Sequence, residues 1–277
     1  MASTSTTDDL KAAIFQRLHP RAYFERFVAE KVRPDGREFH EWRDVSVNVG
    51  SISTANGSAL VRLGNTTVVC GVKAEIAEPE LDQPEDGYLV PNLDLPAICS
   101  PKFKPGPPGE EAQVLSDRLN DVLLSSGMVD LKSLCIHPGS AVWVLYIDAV
   151  CINYDGNAFD ATLMAMVAAL KNTTLPQATF DDISGRTTCS RKTQIPLKIL
   201  RTPSSMSFGI FDGSLLIADP TSFEEPLLDA TLTIVLDEND QVLQTTQLGS
   251  GVVEHEDPLL ACITAAKQRR RDLANAS

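Results

Sequence analysis

Residues 148–171, DAVCINYDGNAFDATLMAMVAALK, restrict the fold more than any other part of the chain. They read as a buried strand, a tight turn and a helix with small and apolar residues around most of its circumference, so that helix has to lie inside the molecule. Junctions of this kind commonly bind phosphate, because free amides and the positive end of the helix dipole both point at the turn. Here the junction carries Asp148, Asp155 and Asp160, and no Lys, Arg or His before Lys171. An anion meets repulsion there, so the junction is read as serving the fold.

At 277 residues the chain can bury one large core or two compact lobes that share an interface. A formal net charge of −13 argues against a protein that coats nucleic acid with its whole surface, since such binding depends on Lys and Arg neutralising phosphates. A local basic path, or a basic partner, remains compatible with it. The six cysteines form no CxxC pair, and Cys70 and Cys151 sit inside the apolar runs TTVVCGV and DAVCI, so reduced, buried thiols are expected. Four isolated histidines lack metal-ligand spacing, so neither a metal site nor a cofactor is expected. The start MASTSTTDDL lacks the pattern of a signal peptide, and no run approaches the roughly 18 apolar residues of a membrane span. The expectation is a soluble intracellular protein with no membrane partner.

In chain order, residues 1–32 form a helical segment, with Leu10, Ile14, Phe15 and Leu18 on one face and Phe24, Phe27 and Val28 beyond Pro20. Arg33-Pro34-Asp35-Gly36-Arg37 reads as a surface turn with solvated charges. Residues 33–172 make a first half. Its clearest hairpin, ALVRLGNTTVVCGVKAE, turns at Gly64-Asn65. A Pro-, Asp- and Glu-rich loop over residues 75–108 holds a strand near 88–95, and Glu110 and Glu111 then suit the first turn of a helix over Glu110–Ser125. Lys102 and Lys104 flank Phe103, and Arg118 lies on that helix. Solvated charge and contact with an RNA backbone are both open for these three. Residues 173–193 are polar and read as a connector. Residues 194–277 make a second half, with a strand at 194–200, a hairpin at Asp212-Gly213, alternation over 230–236, a turn at 237–240 and a helix over 258–273. Lys267-Gln268-Arg269-Arg270-Arg271 is either a nuclear address or a set of cations favouring the end of the helix dipole.

Five ordered stretches, RPDGR, GSALVRLGNTTVVCGV, FKPGPPGEEAQVLSDR, NYDGNAFDA and GIFDGSLLIADPTSFEE, together resemble the RNase PH family over roughly residues 33–260. The resemblance implies an α+β RNase PH fold (ribosomal protein S5 domain 2-like), in which two duplicated halves of sheet and helix pack together. Active members are phosphorolytic 3′-to-5′ exoribonucleases that place Thr or Ser followed by Arg just after the glycine turn. This chain has Asn157, then Ala158 and Phe159 there, and an apolar aromatic cannot neutralise phosphate. Where active relatives carry a second arginine cluster, it has Pro107-Pro108-Gly109-Glu110-Glu111, and only Arg118 persists. The acidic pair of the second half corresponds to Glu225 and Asp229, read as structural or interface residues.

The family therefore implies a non-catalytic subunit of an RNA exosome ring that supports 3′-to-5′ RNA processing. Its partners would be other RNase PH-like ring subunits, paired as heterodimers within a six-membered ring, and RNA-binding cap subunits, with RNA passing through the central channel. Such a role implies nucleus and nucleolus, and also cytoplasm. The alternative is an active phosphate-dependent 3′-to-5′ exoribonuclease. An unrelated nucleotide-binding domain is disfavoured, because neither GxxxxGK[ST] nor GxGxxG occurs.

Overall fold

The computed structural model describes residues 12–181, 183–249 and 256–276. Residues 12–18 are helical, and α1 (Pro20–Ala29) follows, with proline at the start where its missing N–H costs nothing. Leu10 of the expected apolar face lies outside the described residues.

The first half is built on a six-stranded sheet: β1 (Val45–Val49), β2 (Gly57–Leu63), β3 (Thr66–Ala77), β4 (Tyr88–Asp94), β5 (Cys135–His137) and β6 (Ala141–Asn153). Its order is β1-β2-β3-β6-β4, with β5 pairing β6. Only β4 runs parallel to its neighbour; the other pairings are antiparallel. Leu63 pairs with Thr66, so Gly64-Asn65 is the two-residue turn expected. The apolar alternation of β3 and β6 places Val68, Cys70, Val72, Leu145, Ile147 and Cys151 on one buried face. Burial pushes the Cys70 and Cys151 thiols up to about 12, so both remain protonated thiols at neutral pH.

Helix α2 (Glu110–Ser125) packs on β4, and α3 (Ala158–Lys171) lies across β2 and β3 and also touches β9 of the second half. Leu163, Met166 and Leu170 of α3 are fully buried, which stabilises the fold by about 1.5–3 kcal/mol per side chain.

The polar segment between the halves is folded. Strands β7 (Thr174–Asp181) and β8 (Arg186–Pro196) form a separate two-stranded ribbon. The strand expected at 194–200 therefore begins at Arg186 and ends at Pro196. The second sheet, in the antiparallel order β10-β9-β11-β12, comprises β9 (Ser204–Phe211), β10 (Leu215–Ala218), β11 (Ala230–Leu236) and β12 (Val242–Gly249). Leu215 pairs with Phe211, so the hairpin expected at Asp212-Gly213 also takes in Ser214. Asp212 and Gly213 both adopt positive φ, at 50° and 67°. Helix α4 (Glu256–Ala276) covers β9 and β11 through Cys262 and Ala266.

Two charged segments depart from expectation. Arg33 is fully buried, not solvated: its Nε donates to Glu224 Oε1 at 2.8 Å, and Nη1 and Nη2 donate to the Ala218 and Asp219 carbonyls. Arg37 donates to Asp35 and reaches Asp219. The basic run of α4 is not at the helix end, since the helix continues to Ala276. Arg270 and Arg271 instead hold Asp240 in the β11–β12 turn at 2.6 and 2.7 Å, and Arg269 donates to the Arg43 carbonyl beside the Trp42 ring.

Candidate functional site

At the end of β6 the chain reverses through Gly156 and Asn157, both left-handed with φ of 78° and 52°, before α3 begins. Asparagine tolerates that conformation better than most residues. The turn is wedged against the second half. A Cβ on Gly156 would lie 2.5 Å from Ser222 N and from Thr221 C, and 2.7 Å from Pro220 O. Gly156→Ala is therefore expected to lower stability by about 3 kcal/mol, combining left-handed strain with a backbone clash. Chemical denaturation with a loss under about 1 kcal/mol would show that the two halves can separate locally at this point.

Several polar groups of the turn are satisfied from within. Arg43 donates to the carbonyls of Asp155 (2.7 Å) and Gly156 (3.3 Å), while Thr66 Oγ1 donates to Gly156 O and accepts from Asp155 N. Arg43 also grips Asp219 with two bonds of 2.7 Å. Asn157 Nδ2 bridges Asp160 Oδ2 and Asp219 Oδ1, and Asp160 accepts from Ser205, from Ser207 Oγ and from the Ser207 amide. Burial pushes the Asp160 carboxyl above its ordinary value. For Asp219 burial pushes the same way, but the Arg43 guanidinium outweighs it and holds the carboxyl low.

The amide of Asn157, which caps the start of α3, has an internal acceptor: Asn157 N donates to Glu225 Oε1 at 2.8 Å. Glu225 Oε2 accepts from the Tyr154 hydroxyl. Burial raises the Glu225 carboxyl, against the hydrogen bonds from Tyr154 and Asn157. Ala158 and Phe159 are buried, and the Arg118 guanidinium sits 4.3 Å from the centre of the Phe159 ring while Nη2 donates to Thr233 Oγ1. Glu225 thus belongs to the junction. Asp229 does not: its carboxylate accepts from Gly213 N in the β9–β10 turn and faces Arg21 at 3.9 Å.

Lys102 pairs with Glu111 at 2.8 Å and lies 5.2 Å from the Tyr154 ring, while Lys104 is exposed. Both line a cleft of about 590 Å³ under the loop that leads into α2. Arg43, Lys102 and Arg118 contact the junction, and each is already engaged. Sequence reading missed Arg43, Thr66, Tyr154 and Asp219. Their only signal was polarity beside apolar strands, since their partners lie far away in the chain. Among the described residues no group of His, Cys, Asp or Glu side chains could hold a metal ion, and no helix is long and apolar enough to cross a membrane.

Comparison with known proteins matches both halves. The 3′ exoribonuclease family matches through its domain 1 over residues 41–176 and its domain 2 over residues 202–269. The chain is 43% identical to the exosome complex component rrp43 of Schizosaccharomyces pombe over 259 residues, covering 93% of this chain and 94% of that one. It is 39% identical to the exosome complex component Rrp42 of Methanothermobacter thermautotrophicus, covering 87% and 88%. Among solved structures, a chain of the Archaeoglobus fulgidus exosome with RNA bound to the active site superposes with a TM-score of 0.80 at 33% identity, over 91% of this chain and 97% of that one. A chain of an archaeal exosome core gives 0.77 at 30% identity, over 96% and 98%.

Proposed function

Because this chain belongs to the RNase PH family of 3′ exoribonucleases, we propose that it is a structural, non-catalytic subunit of an exosome ring. The observation that carries the reading is the state of the junction. The Asn157 amide is given to Glu225, Ala158 offers no hydroxyl, and Phe159 lies beneath Arg118 where a phosphate-gripping side chain would be needed. Phosphorolysis requires donors that are free to receive inorganic phosphate beside the RNA terminus, whereas here the Asn157 amide is already taken and residues 154–159 include no cationic side chain.

Assembly is supported by the first sheet. Tyr146, Val150 and Ile152 of β6 and Val90 of β4 expose apolar side chains on the face opposite α3. Val90 pairs with Tyr146 in register, so these residues form part of one surface. Another RNase PH-like ring subunit would bury it, as part of a heterodimer within a six-membered ring that also meets RNA-binding cap subunits. In such a ring Lys104, and Lys102 on exchanging Glu111 for phosphate, are placed to meet RNA. Arg118 acts chiefly by supporting Phe159. The same role puts the chain in RNA processing and turnover, ribosomal RNA maturation included, in nucleus and nucleolus and also in cytoplasm.

The test supplies the purified chain with labelled single-stranded RNA and inorganic phosphate, and separately co-expresses it with other RNase PH-like chains. The expected outcome is a stable heterodimer and no nucleoside diphosphate release above background. Release by the isolated chain would establish an active phosphate-dependent exoribonuclease instead.

A further inference from the structure

We propose that the β7–β8 ribbon and the segment that follows it form a surface for single-stranded RNA, contacting the phosphate backbone without regard to sequence. The proposal rests on the ring-subunit reading only for the identity of the polyanion. Its first observation is a break in the charge pattern. From Ile183 to Phe211 the chain carries Arg186, Arg191, Lys192, Lys198 and Arg201 and no Asp or Glu, within a molecule of net charge −13.

The second observation is that these cations are available. Arg186, Lys192, Lys198 and Arg201 are exposed, and none makes an ion pair among the described residues. The arginines of the interior and of α4 behave differently, since Arg33, Arg43, Arg270 and Arg271 are all held by carboxylates. Arg186 pairs in register with Asp181 near the tip, so the usable charge concentrates toward the base, at Lys192, Lys198 and Arg201.

The third observation is that the backbone is shaped there. Pro176 pairs with Gln194 and Ala178 with Cys189, so residues 190–193 bulge opposite Gln177 alone. Ser190 Oγ fixes the bulge by accepting from the amides of Lys192 and Thr193. Bulges re-aim side chains at functional edges. The ribbon is tied to the body through Phe180 against the His137 ring, buried Leu175, the Thr174 bonds to Asn56, and the Val129–Ile199 bridge beyond it.

Charge complementarity favours RNA over an acidic protein. A protein interface needs a contiguous apolar centre, but the exposed apolar side chains here are divided between Ile183 at the tip and Ile195 and Leu200 toward the base. A phosphate backbone needs spaced cations and hydroxyls, which the exposed Thr188, Thr193 and the lysines supply. No aromatic residue is exposed on the ribbon, so base stacking does not contribute and sequence preference is not expected.

The experiment measures binding of a fluorescein-labelled single-stranded RNA of mixed sequence to the full chain, by anisotropy across a salt series. Removing three phosphate contacts in Lys192→Ser/Lys198→Ser/Arg201→Ser should weaken binding roughly 100-fold at about 0.1 M salt and make the salt slope shallower by about 2. The charge-matched control Arg62→Ser/Lys73→Ser/Lys171→Ser should change affinity by less than about 3-fold if local placement, not net charge, governs binding. Equal losses in both variants, or no loss in the first, overturn the proposal. So does a ribbon variant that keeps its RNA affinity but no longer co-purifies with an RNase PH-like chain, because the ribbon is then a protein-docking surface. A chain that binds RNA through the ribbon but never joins another RNase PH-like chain leaves this proposal standing and removes the ring-subunit reading.

Discussion

Asp219→Ala lowers the stability of this chain by about 3–5 kcal/mol at neutral pH, the cost of leaving a buried cation without its partner. Asp219 is fully buried, accepts two side-chain bonds and the amide of Arg43, and takes further bonds from Arg37 and Asn157. Its removal also frees the guanidinium that holds the Asp155 and Gly156 carbonyls, so the junction loosens with it. Urea denaturation reads the effect as a fall in midpoint at constant slope. A loss below about 1.5 kcal/mol would mean that solvent reaches Arg43 and that the network is looser than described. The pH dependence has a definite sign. The Asp219 carboxyl is held below its ordinary value in the fold, so its contribution is complete above the unfolded value near 3.8 and is lost as pH falls through the lower, folded value. The variant lacks this component of acid denaturation. Asp160 and Glu225, whose carboxyls are raised, carry the opposite sign: their contribution weakens as pH climbs from the unfolded toward the folded value.

Arg33→Met and Glu224→Met each cost about 3–5 kcal/mol when made singly, because each leaves one charge buried and alone. Both side chains are essentially inaccessible to solvent. The double variant recovers most of the loss, since two apolar side chains of suitable length replace a desolvated pair. A thermodynamic cycle on the four proteins therefore gives a coupling energy of at least about 2 kcal/mol. Simple additivity of the two losses would show that the pair does not act as a unit. Arg33 also donates to the Ala218 and Asp219 carbonyls, so the recovery in the double variant is partial.

These two networks mark the limit of what local sequence patterns reveal. Helix α2 was legible because Glu110 and Glu111 suit a first turn and apolar residues follow at helical spacing. The Gly64-Asn65 turn and the all-round apolar α3 were equally plain, since their signals lie within a few residues. Arg33 looked like part of a solvated turn because the carboxylate that claims it comes far later in the chain, and so does Asp219, which Arg37 reaches in addition to its neighbour Asp35. Ala158 and Phe159 could be read as unfit for phosphate, but the reach of Glu225 to Asn157 could not, being a contact over 68 positions. The ribbon passed for a connector because a two-stranded arm exposed on most of its surface carries little of the apolar alternation that betrays a half-buried strand. The basic run of α4 was ambiguous because the helix end could not be fixed within a turn and Asp240 belongs to another element.

Burial of Arg33 by Glu224, and of Arg43 by Asp219, also has a meaning in time. Glu224 follows Arg33 by 191 positions and Asp219 follows Arg43 by 176. A ribosome adding roughly 5–20 residues per second delivers those carboxylates about 10–40 seconds after the arginines. The strands and helix of the first sheet are all present once Lys171 has emerged, and they can close on one another. The segment that leads into that sheet is translated first but cannot complete its native contacts until the second half has emerged.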